Sequence, residues 1–325
     1  MDTQNQADRT EGPAPVVSVV VTAYNRGHLL PRAFDSLAGQ TLRDYEVVVV
    51  DDASTDDTAA VVHERADPRI CYIRHERNRG AVHAYNTGIL AARGEFIACL
   101  DSDDTVRPRW LERQVERFHR DPAIGMVWSW IRIHGSDGSS AIMYRDPFGS
   151  RSRTPLPVML NWTPGIGSSM FRRAVFDDIG VLDPSVGHML DVDITTRFAL
   201  SESYTIDIVP EVLMDIYKDT SSLSGHLSPR YLDELKNYVA KHEASFAEFP
   251  CLHAANLYRI GRVMEQLGED GADAYFSEAI ALCPGQLRFR IYPLARNLGM
   301  LTAWNRLSRI RTDTRAAYRN LLHSK

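Results

Sequence analysis

Two continuous apolar runs near the start of the chain constrain its fold more than any other feature. Residues 16–21 (VVSVVV) and 46–50 (EVVVV) are rich in β-branched side chains, a pattern typical of strands covered on both faces of a parallel sheet. Shorter apolar strands are predicted at 70–74 and 96–100, with helical spacing between them. This alternation predicts right-handed βαβ units, and therefore an α/β fold whose mostly parallel central sheet is flanked by helices.

Polar clusters follow these strands directly, and ligands of open α/β sheets bind beyond the carboxyl ends of the strands. Residues 22–26 (TAYNR) offer an aromatic ring with polar neighbours, suited to stacking on a base. Asp51 and Asp52 are acceptors for a base N–H or ribose hydroxyls. Residues 101–104 (DSDD) hold three carboxylates that repel one another. A divalent cation such as Mg²⁺ or Mn²⁺ would relieve that repulsion.

Each cluster alone is a weak signal, because Asp pairs after strands are also common turn formers and helix caps. Ser54, for example, is the predicted N-cap of the helix that follows the acid pair. Three such clusters at consecutive strand ends are a stronger signal. Neither a GxGxxG sequence nor a P-loop follows the first strand, which disfavours Rossmann dinucleotide and Walker-type sites.

The clusters lie in segments that together resemble a known enzyme family. PVVSVVVTAYNRGHLLPRAFDSL, VVVVDDASTDDT and NRGAVHAYNTGILAARGEFIACLDSDD are similar, in order and spacing, to the nucleotide-sugar half of family 2 glycosyltransferases with the GT-A fold. The similarity runs from about Val16 to Leu111. It implies a GT-A fold and transfer of a sugar from a nucleoside-diphosphate sugar. A UDP-sugar is the expected donor, and a hydroxyl of a glycan or lipid-linked molecule is the expected acceptor.

The resemblance also implies roles for individual residues. Thr22, Tyr24 and Asp52 would hold the nucleobase. Asp101 would lie on the ribose or metal side, and Asp103 would bind Mn²⁺ or Mg²⁺ under the diphosphate. The candidate nucleotide-sugar ligands are Thr22, Ala23, Tyr24, Asn25, Arg26, Asp51, Asp52, Asn78, Arg79, Gly80, Asn86, Asp101 and Ser102. Further candidates for the metal are Asp101, Asp104 and His226, the last in a segment that can close over the diphosphate in this family.

The second half of the family pattern is more divergent. MLDVDITTRFAL at 189–200 matches the place where the family carries a Glu-Asp pair, but the pair here is Leu190-Asp191. Such family members invert at the anomeric carbon, and a carboxylate must take the proton of the acceptor hydroxyl. Asp191 is the candidate general base and Asp193 the alternative. The competing interpretation makes Asp191 a helix N-cap and pairs Asp193 with Arg197 at i,i+4.

Two other function classes fit parts of the sequence. IACLDSDDTV also fits the nucleophile motif of haloacid dehalogenase-like phosphatases, with Asp101 as the nucleophile. The later acidic motif that these enzymes need is matched only by residues 268–273 (GEDGAD), between predicted helices. A catalytically inactive nucleotide-binding scaffold is the second alternative. It predicts loss of the strand-end acids, all of which are present.

Three regions are predicted along the chain. Residues 1–14 are polar and form a disordered leader. Residues 15–228 form the glycosyltransferase domain, with a nucleotide-sugar half up to residue 120 and an acceptor half from residue 121. Residues 229–325 are helical and include a segment, 257–284, that resembles one helical hairpin of a tetratricopeptide repeat.

Charge is distributed unevenly along the chain. The net charge is −5, which argues against a nucleic-acid partner. Residues 286–325 nevertheless carry nine Lys or Arg against one acid, a net charge of +8. Apolar residues recur in this stretch at three- and four-residue steps. It is therefore either an amphipathic helix docked on the acidic body or a helix that makes peripheral contact with a membrane surface.

Cysteine usage and hydropathy bear on the compartment. Cys71, Cys99, Cys251 and Cys283 are scattered singly, which predicts reduced, mostly buried thiols. No apolar run approaches the roughly 18–20 residues that span a bilayer, and the polar start does not resemble a signal peptide. These features predict a cytoplasmic protein, which would be peripheral at the inner face of the membrane if residues 286–325 bind lipid.

Overall fold

The computed structural model describes residues 13–143, 165–218 and 227–297. The chain divides into two compact units, residues 1–223 and 224–325, which we call the α/β unit and the helical unit. Most of the predicted leader lies outside the described residues, and the predicted domain boundary at residue 228 stays a prediction.

Within the described residues, the α/β unit contains one nine-stranded sheet. Its strands are β1 (Val17–Ala23), β2 (Tyr45–Asp51), β3 (Ile70–Arg74), β4 (Phe96–Asp101), β5 (Thr105–Val106), β6 (Ile124–His134), β7 (Ser140–Met143), β8 (Ser169–Arg172) and β9 (Thr205–Tyr217). Their order is β3-β2-β1-β4-β8-β6-β9-β5, with β7 paired to β6 outside this path. The first four strands are parallel, whereas β8 runs antiparallel to β4 and β6. The predicted α/β sheet is confirmed, and its second half is mixed.

Helices flank this sheet. They are α1 (Leu30–Ala38), α2 (Thr58–Glu64), α3 (Ala81–Ala91), α4 (Trp110–Phe118), α5 (Arg173–Ile179) and α6 (Leu190–Ser201), with 3₁₀ turns at Ile166–Ser168 and Pro184–Met189. The predicted cap at Ser54 is wrong, because its hydroxyl accepts the backbone N–H of Asn25 at 2.9 Å. Helix α2 therefore begins four residues later, at Thr58.

Burial on both faces explains the continuous apolar runs in the sequence. Every residue of β2 is buried, as is every residue of β1 except the half-buried Thr22. The strand register pairs Ala23 with Asp51 and Thr22 with Asp101. The carboxyl ends of β1, β2 and β4 therefore lie side by side, as the parallel arrangement requires.

The helical unit begins at Pro229, where the Ser228 hydroxyl accepts the backbone N–H of Tyr231 and caps the first helix. Its helices are α7 (Pro229–Lys241), α8 (Glu243–Ala247), α9 (Pro250–Leu267), α10 (Ala272–Leu282) and α11 (Leu287–Asn297). Helices α9 and α10 form the hairpin that the sequence predicts. Among the described residues, no helix is long and apolar enough to cross a bilayer.

The prediction of four reduced thiols is wrong for two of them. A disulfide joins Cys251, in the first turn of α9, to Cys283, directly after α10. The hairpin returns the chain to its starting level, so the two Cα atoms lie 4.9 Å apart despite a sequence separation of 32 residues. Isolated cysteines that are far apart in the sequence give no sign that they are close in space. Cys71 and Cys99 are free and buried, as predicted.

Candidate active site

The loop after β1 is joined to the loop after β2. Asn25 has a left-handed backbone with φ 54°, and its side-chain carbonyl accepts the backbone N–H of Thr55 at 2.8 Å. The backbone N–H of Arg26 donates to the Thr58 hydroxyl at 3.0 Å. Tyr24, between these anchored residues and the strand, is 45% exposed, so its ring is free to face a ligand.

Asp51 is buried and fully engaged with neighbouring groups. One carboxylate oxygen accepts the backbone N–H of Ser54 at 2.7 Å. The other accepts the Tyr72 hydroxyl at 2.5 Å and the Arg74 guanidinium at 3.3 Å. Burial and the hydrogen bond to Asp51 raise the pKa of Tyr72 to about 12, against the opposing charge of Arg74, so its hydroxyl stays a donor. The Asp51 side chain therefore joins β2, β3 and the loop between β2 and α2.

Asp52 is likewise buried and holds the start of α3. Its carboxylate accepts the backbone N–H groups of Arg79 at 2.9 Å and Gly80 at 2.7 Å, and it bonds His75 Nδ1 at 2.6 Å. The other ring nitrogen of His75 bonds the Thr87 hydroxyl within α3 at 2.9 Å. Gly80 precedes α3 with φ 89°, a conformation that favours glycine.

Asp101 lies at the buried end of β4. The hydroxyl of Tyr85, from α3, donates to one of its oxygens. Burial, and then the charge of Asp103, raise the pKa of Asp101, while the Tyr85 hydrogen bond and the charge of Arg26 oppose this. A Cβ atom on Gly167 would lie 2.6 Å from the other oxygen, so only glycine lets the 3₁₀ turn approach so closely.

Asp103 and Asp104 form a turn that is held from two sides. The Arg32 guanidinium, from α1, donates to the backbone carbonyl of Asp103 and stacks on the Tyr217 ring, 3.8 Å from its centroid. The backbone N–H of Tyr217, at the end of β9, donates to Asp104 at 3.0 Å. Burial and the charges of Asp101 and Asp103 raise the pKa of Asp104 to about 8. The turn is therefore rich in negative charge that its neighbours balance only in part.

Asp191 comes from the other half of the α/β unit, in the first turn of α6. One of its oxygens accepts the backbone N–H of Ile166 at 2.6 Å, and the other lies 3.8 Å from the Cβ position of Gly165. Burial, and then the charge of Asp101, raise the pKa of Asp191 to about 6. Asp101 and Asp191 thus lie against the same short segment, residues 165–167.

Asp193 lies two residues further along α6 and does something different. It is fully buried and pairs with Arg197 at 2.9 Å. The same guanidinium donates to the backbone carbonyls of Ile179, Gly180 and Val181. The i,i+4 pair expected from the sequence is present and holds the end of α5 against α6.

The remaining predicted residues have varied positions. The Asn86 amide bonds both backbone groups of Leu182, at 2.7 and 2.9 Å, and so joins α3 to the segment after α5. The Asn78 side chain accepts the backbone N–H of Gly80 at 3.2 Å. Ser102 is buried between the acids of the turn. His226 lies outside the described residues.

Sequence reasoning overlooked several residues that shape this site. Tyr85, Arg32, Gly165 and Gly167 touch the candidate acids, yet none of them follows a predicted strand. The sequence GIGSS at the start of a predicted strand could have pointed to the two glycines, because closely spaced glycines often mark a close approach of the backbone to another group. Arg32 and Tyr85 carry no comparable signal in the sequence.

The donor chemistry of the acidic turn suits a divalent cation. Among the described residues, no group of three Asp, Glu, His or Cys side chains forms a complete metal site. A Mg²⁺ or Mn²⁺ ion needs only one or two carboxylates when a diphosphate and water supply its other ligands. Asp101, Asp103 and Asp104 offer hard oxygen donors, and burial, together with the charges of neighbouring acids, raises the pKa values of Asp101 and Asp104. These residues fit such an ion.

Comparison with known proteins identifies the family. The Glycosyl transferase family 2 profile matches residues 18–180, half of the chain. The chain belongs to this family. It is a glycosyltransferase, as the resemblance implied, and the matched region contains the acidic turn and both glycines of the 165–167 segment.

Two relatives with functional names match part of this glycosyltransferase. The succinoglycan biosynthesis protein ExoO of Rhizobium meliloti (strain 1021) is 52% identical over 103 residues, which are 32% of this chain and 30% of ExoO. Chondroitin synthase of Escherichia coli is 35% identical over 127 residues, 38% of this chain and 18% of that enzyme. The matches thus span less than a third of either relative.

Solved structures confirm the fold of the glycosyltransferase. S. aureus TarS 1–349 in complex with UDP-GlcNAc has a TM-score of 0.61 at 17% identity, covering 87% of this chain and 92% of that one. The mannosyltransferase PcManGT of Pyrobaculum calidifontis, with GDP-Man and Mn²⁺, has a TM-score of 0.57 at 20% identity, covering 99% and 94%. The predicted GT-A fold with C-terminal helices is therefore correct.

Proposed function

We propose that this glycosyltransferase moves a sugar from a nucleoside-diphosphate sugar, with UDP as the first candidate, to a hydroxyl of a glycan or lipid-linked acceptor, with inversion at the anomeric carbon. One observation carries the proposal. Two carboxylates from different halves of the α/β unit, Asp101 and Asp191, lie against the same segment, residues 165–167. A donor held at the first and an acceptor hydroxyl held at the second would meet there.

The donor side rests on the strand ends. Tyr24 offers an exposed ring for the base, and the hydrogen bonds between the loops after β1 and β2 hold the neighbouring residue, Asn25, in place. Asp101 and Asp103 face the diphosphate in this proposal, with Asp104 behind them. The relatives of known structure bind UDP-GlcNAc and GDP-Man, which supports a nucleotide sugar without selecting the base.

A divalent cation, Mn²⁺ or Mg²⁺, would be held by Asp103 with Asp101 beside it, and when bound it would neutralise charge on the leaving diphosphate. The acids of the chain then have separate tasks. Asp103 and Asp101 orient the donor, and Tyr85 holds Asp101 in position through its hydroxyl. The chain thereby fixes the donor before the acceptor arrives.

Asp191 is the general base in this proposal. Its raised pKa, about 6, lies close enough to neutrality for a base that must be ionised at rest and accept a proton during transfer. The Ile166 N–H holds one oxygen and leaves the other to accept the hydroxyl proton. Asp193 is unsuited to this task, because it is fully buried and its carboxylate pairs with Arg197.

Family membership disfavours the phosphatase alternative, in which Asp101 would attack phosphorus. The inactive-scaffold alternative is disfavoured by the strand-end acids, which are all retained. Release of a free nucleoside diphosphate from a nucleotide sugar, rather than of phosphate from a simple monoester, is the reaction expected of this chain.

The test uses two substitutions in the full chain. Asp191→Asn should lower kcat about 10³-fold, since a general base contributes 10²–10⁴-fold, and leave the nucleotide Kd unchanged. Asp103→Ala should abolish transfer and also the Mn²⁺-dependent part of nucleotide binding. Asp177→Asn, an exposed acid on α5, is the control. Near-normal transfer by the Asp191→Asn variant would show that another group is the base.

The donor is identified by thermal shift with a panel of nucleotide sugars, each measured with and without Mn²⁺. A ligand at about 100 times its Kd stabilises the folded state by roughly 2.7 kcal/mol. The stabilising sugar should also be the one transferred. Failure of every nucleotide sugar in the panel to stabilise the protein would contradict the proposed donor class.

A further inference from the structure

Helix α11 presents apolar side chains on two opposite faces. Phe289 and Tyr292 are buried, at 0% and 3% exposure. Leu287, Ile291 and Leu294 are 66%, 38% and 59% exposed. Large apolar side chains exposed together on one helix are unusual for a surface that only water covers.

The exposed residues form a continuous stripe. Positions 287, 291 and 294 are spaced i, i+4 and i+7, so they share one face of the helix. At about 100° per residue, positions 288 and 290 project to the two sides of that face. Both are arginines and both are exposed, but the Arg288 guanidinium turns back towards the packed face, 4.9 Å from the Phe289 ring centroid. The result is an apolar stripe with an arginine position on each side, and we call these five residues the α11 stripe.

The helix that carries the stripe is anchored by its other face. The Tyr258 ring of α9 lies 5.0 Å from Phe289 and 5.7 Å from Tyr292, centroid to centroid. The Arg262 guanidinium lies 4.0 Å from the Tyr292 ring centroid, and the Tyr292 hydroxyl donates to Glu265. Because these contacts hold α11 against α9, the orientation of the stripe is set by packing.

The positive charge of this part of the chain indicates what the α11 stripe binds. The sequence from residue 286 to the last residue carries a net charge of +8, so the rest of the chain carries −13. The 28 residues beyond α11 contribute six Lys or Arg and one acid to that balance. Apolar side chains between basic ones fit the boundary between acyl chains and anionic headgroups of a bilayer, where each Lys or Arg adds about 1 kcal/mol near the surface.

We propose that the α11 stripe binds the surface of an anionic lipid bilayer. The three apolar side chains enter the headgroup boundary, and Arg290 contacts a lipid phosphate. This role is separate from sugar transfer to a hydroxyl, and its failure would leave the proposed transfer intact. Such a contact would bring the enzyme to the surface where lipid-linked acceptors are found.

The experiment is co-sedimentation of the full chain with vesicles of phosphatidylcholine containing about 30% phosphatidylglycerol, and with pure phosphatidylcholine vesicles. The test variant is Leu287→Glu with Leu294→Glu. The matched control is Leu90→Glu with Leu227→Glu, which makes the same chemical change at two other exposed leucines, 73% and 43% exposed. Circular dichroism melts of both variants verify the fold.

The unmodified chain and the control should sediment with anionic vesicles, and partition should fall as salt rises. The test variant should lose about tenfold or more of that partition, with an unchanged melting temperature. A second variant, Arg290→Gln, should bind anionic vesicles more weakly than the unmodified chain, with an unchanged melting temperature.

Three results would overturn the proposal. The unmodified chain could fail to sediment with anionic vesicles, or the test variant could sediment as well as the control. The third is a dimer of the unmodified chain, detected by light scattering, that becomes monomeric in the test variant with no vesicle binding by either. That result would assign the stripe to contact between protein chains.

Discussion

The acid pair after β2 and the acidic turn after β4 are alike in sequence and differ in their surroundings. Asp52 accepts two backbone N–H groups and bonds an imidazole, and Asp51 accepts a backbone N–H, a phenol and a guanidinium. Asp104 accepts only one described hydrogen bond, from a backbone N–H, although it is buried beside two other acids. The first pair is compensated within the protein, and the turn is compensated only in part.

The difference separates acids that are paired within the protein from acids whose charge is paired only in part. A buried carboxylate without enough partners costs free energy, and proteins keep such groups mainly at functional sites. The two regions are also linked in space. Asp52 holds the start of α3, and α3 supplies the Tyr85 hydroxyl to Asp101. The compensated pair thereby positions part of the uncompensated turn.

The largest effect should come from disturbing the acidic cluster after β4 without substituting its acids. Gly167→Ala would place a Cβ atom 2.6 Å from the Asp101 carboxylate, which must then move. A displacement of about 1 Å near reacting groups can cost about 100-fold in rate, so kcat should fall by about that factor. Gly165→Ala is the matched variant, because its Cβ would lie at an ordinary 3.8 Å from Asp191. Equal losses in the two variants would contradict the assigned role of Asp101.

The pair after β2 should respond in stability. Asp52→Ala leaves the N–H groups of Arg79 and Gly80 and the imidazole of His75 without an acceptor. The free energy of unfolding should fall by about 2–3 kcal/mol in a urea titration. Asp52→Asn, which keeps one acceptor, should lose less. A fully stable Asp52→Ala variant with weakened nucleotide binding would move Asp52 from the compensated group to the ligand-binding group.

The pH profile sharpens the contrast at Asp191. Burial and the charge of Asp101 raise its pKa to about 6, so kcat/KM should fall about tenfold per pH unit below that value. An unperturbed aspartate would lose activity only below about pH 4. The residual activity of the Asp191→Asn variant should lack this fall. A flat profile of the unmodified, folded enzyme down to pH 5 would contradict the assignment.

The smallest effect is expected at Asp104. Its pKa is raised to about 8 in the folded state, so its contribution to stability is present below about pH 4 and is lost as the pH rises towards 8. Asp104→Asn keeps an acceptor for the Tyr217 N–H and carries no charge. In metal-free buffer it should raise the free energy of unfolding by about 1 kcal/mol at pH 8 and by less at pH 5. If the variant and the unmodified chain had equal melting temperatures at each pH, the charge of Asp104 would not destabilise the turn.

Much of the fold followed from local pattern. The strands 70–74 and 96–101 match their apolar runs. In the second, every residue but the last is buried, and a strand buried on both faces must be apolar throughout. Long-range pairing could not be predicted in the same way. Cys251 and Cys283 are 32 residues apart in sequence and are joined, and Ser54 bonds the neighbouring loop rather than its own helix. Both contacts form because the tertiary fold brings segments that are distant in sequence next to each other.

The sequence by itself determined the sheet, the family resemblance and the acids at the strand ends, because these depend on residues close together in the chain. Only the tertiary structure distinguished one acidic cluster from the other. It placed Gly167 against Asp101 and Ile166 against Asp191. The ionisation of a carboxylate depends on burial, hydrogen-bond donors and nearby charges. In this chain those neighbours come from helices and turns that are distant in sequence.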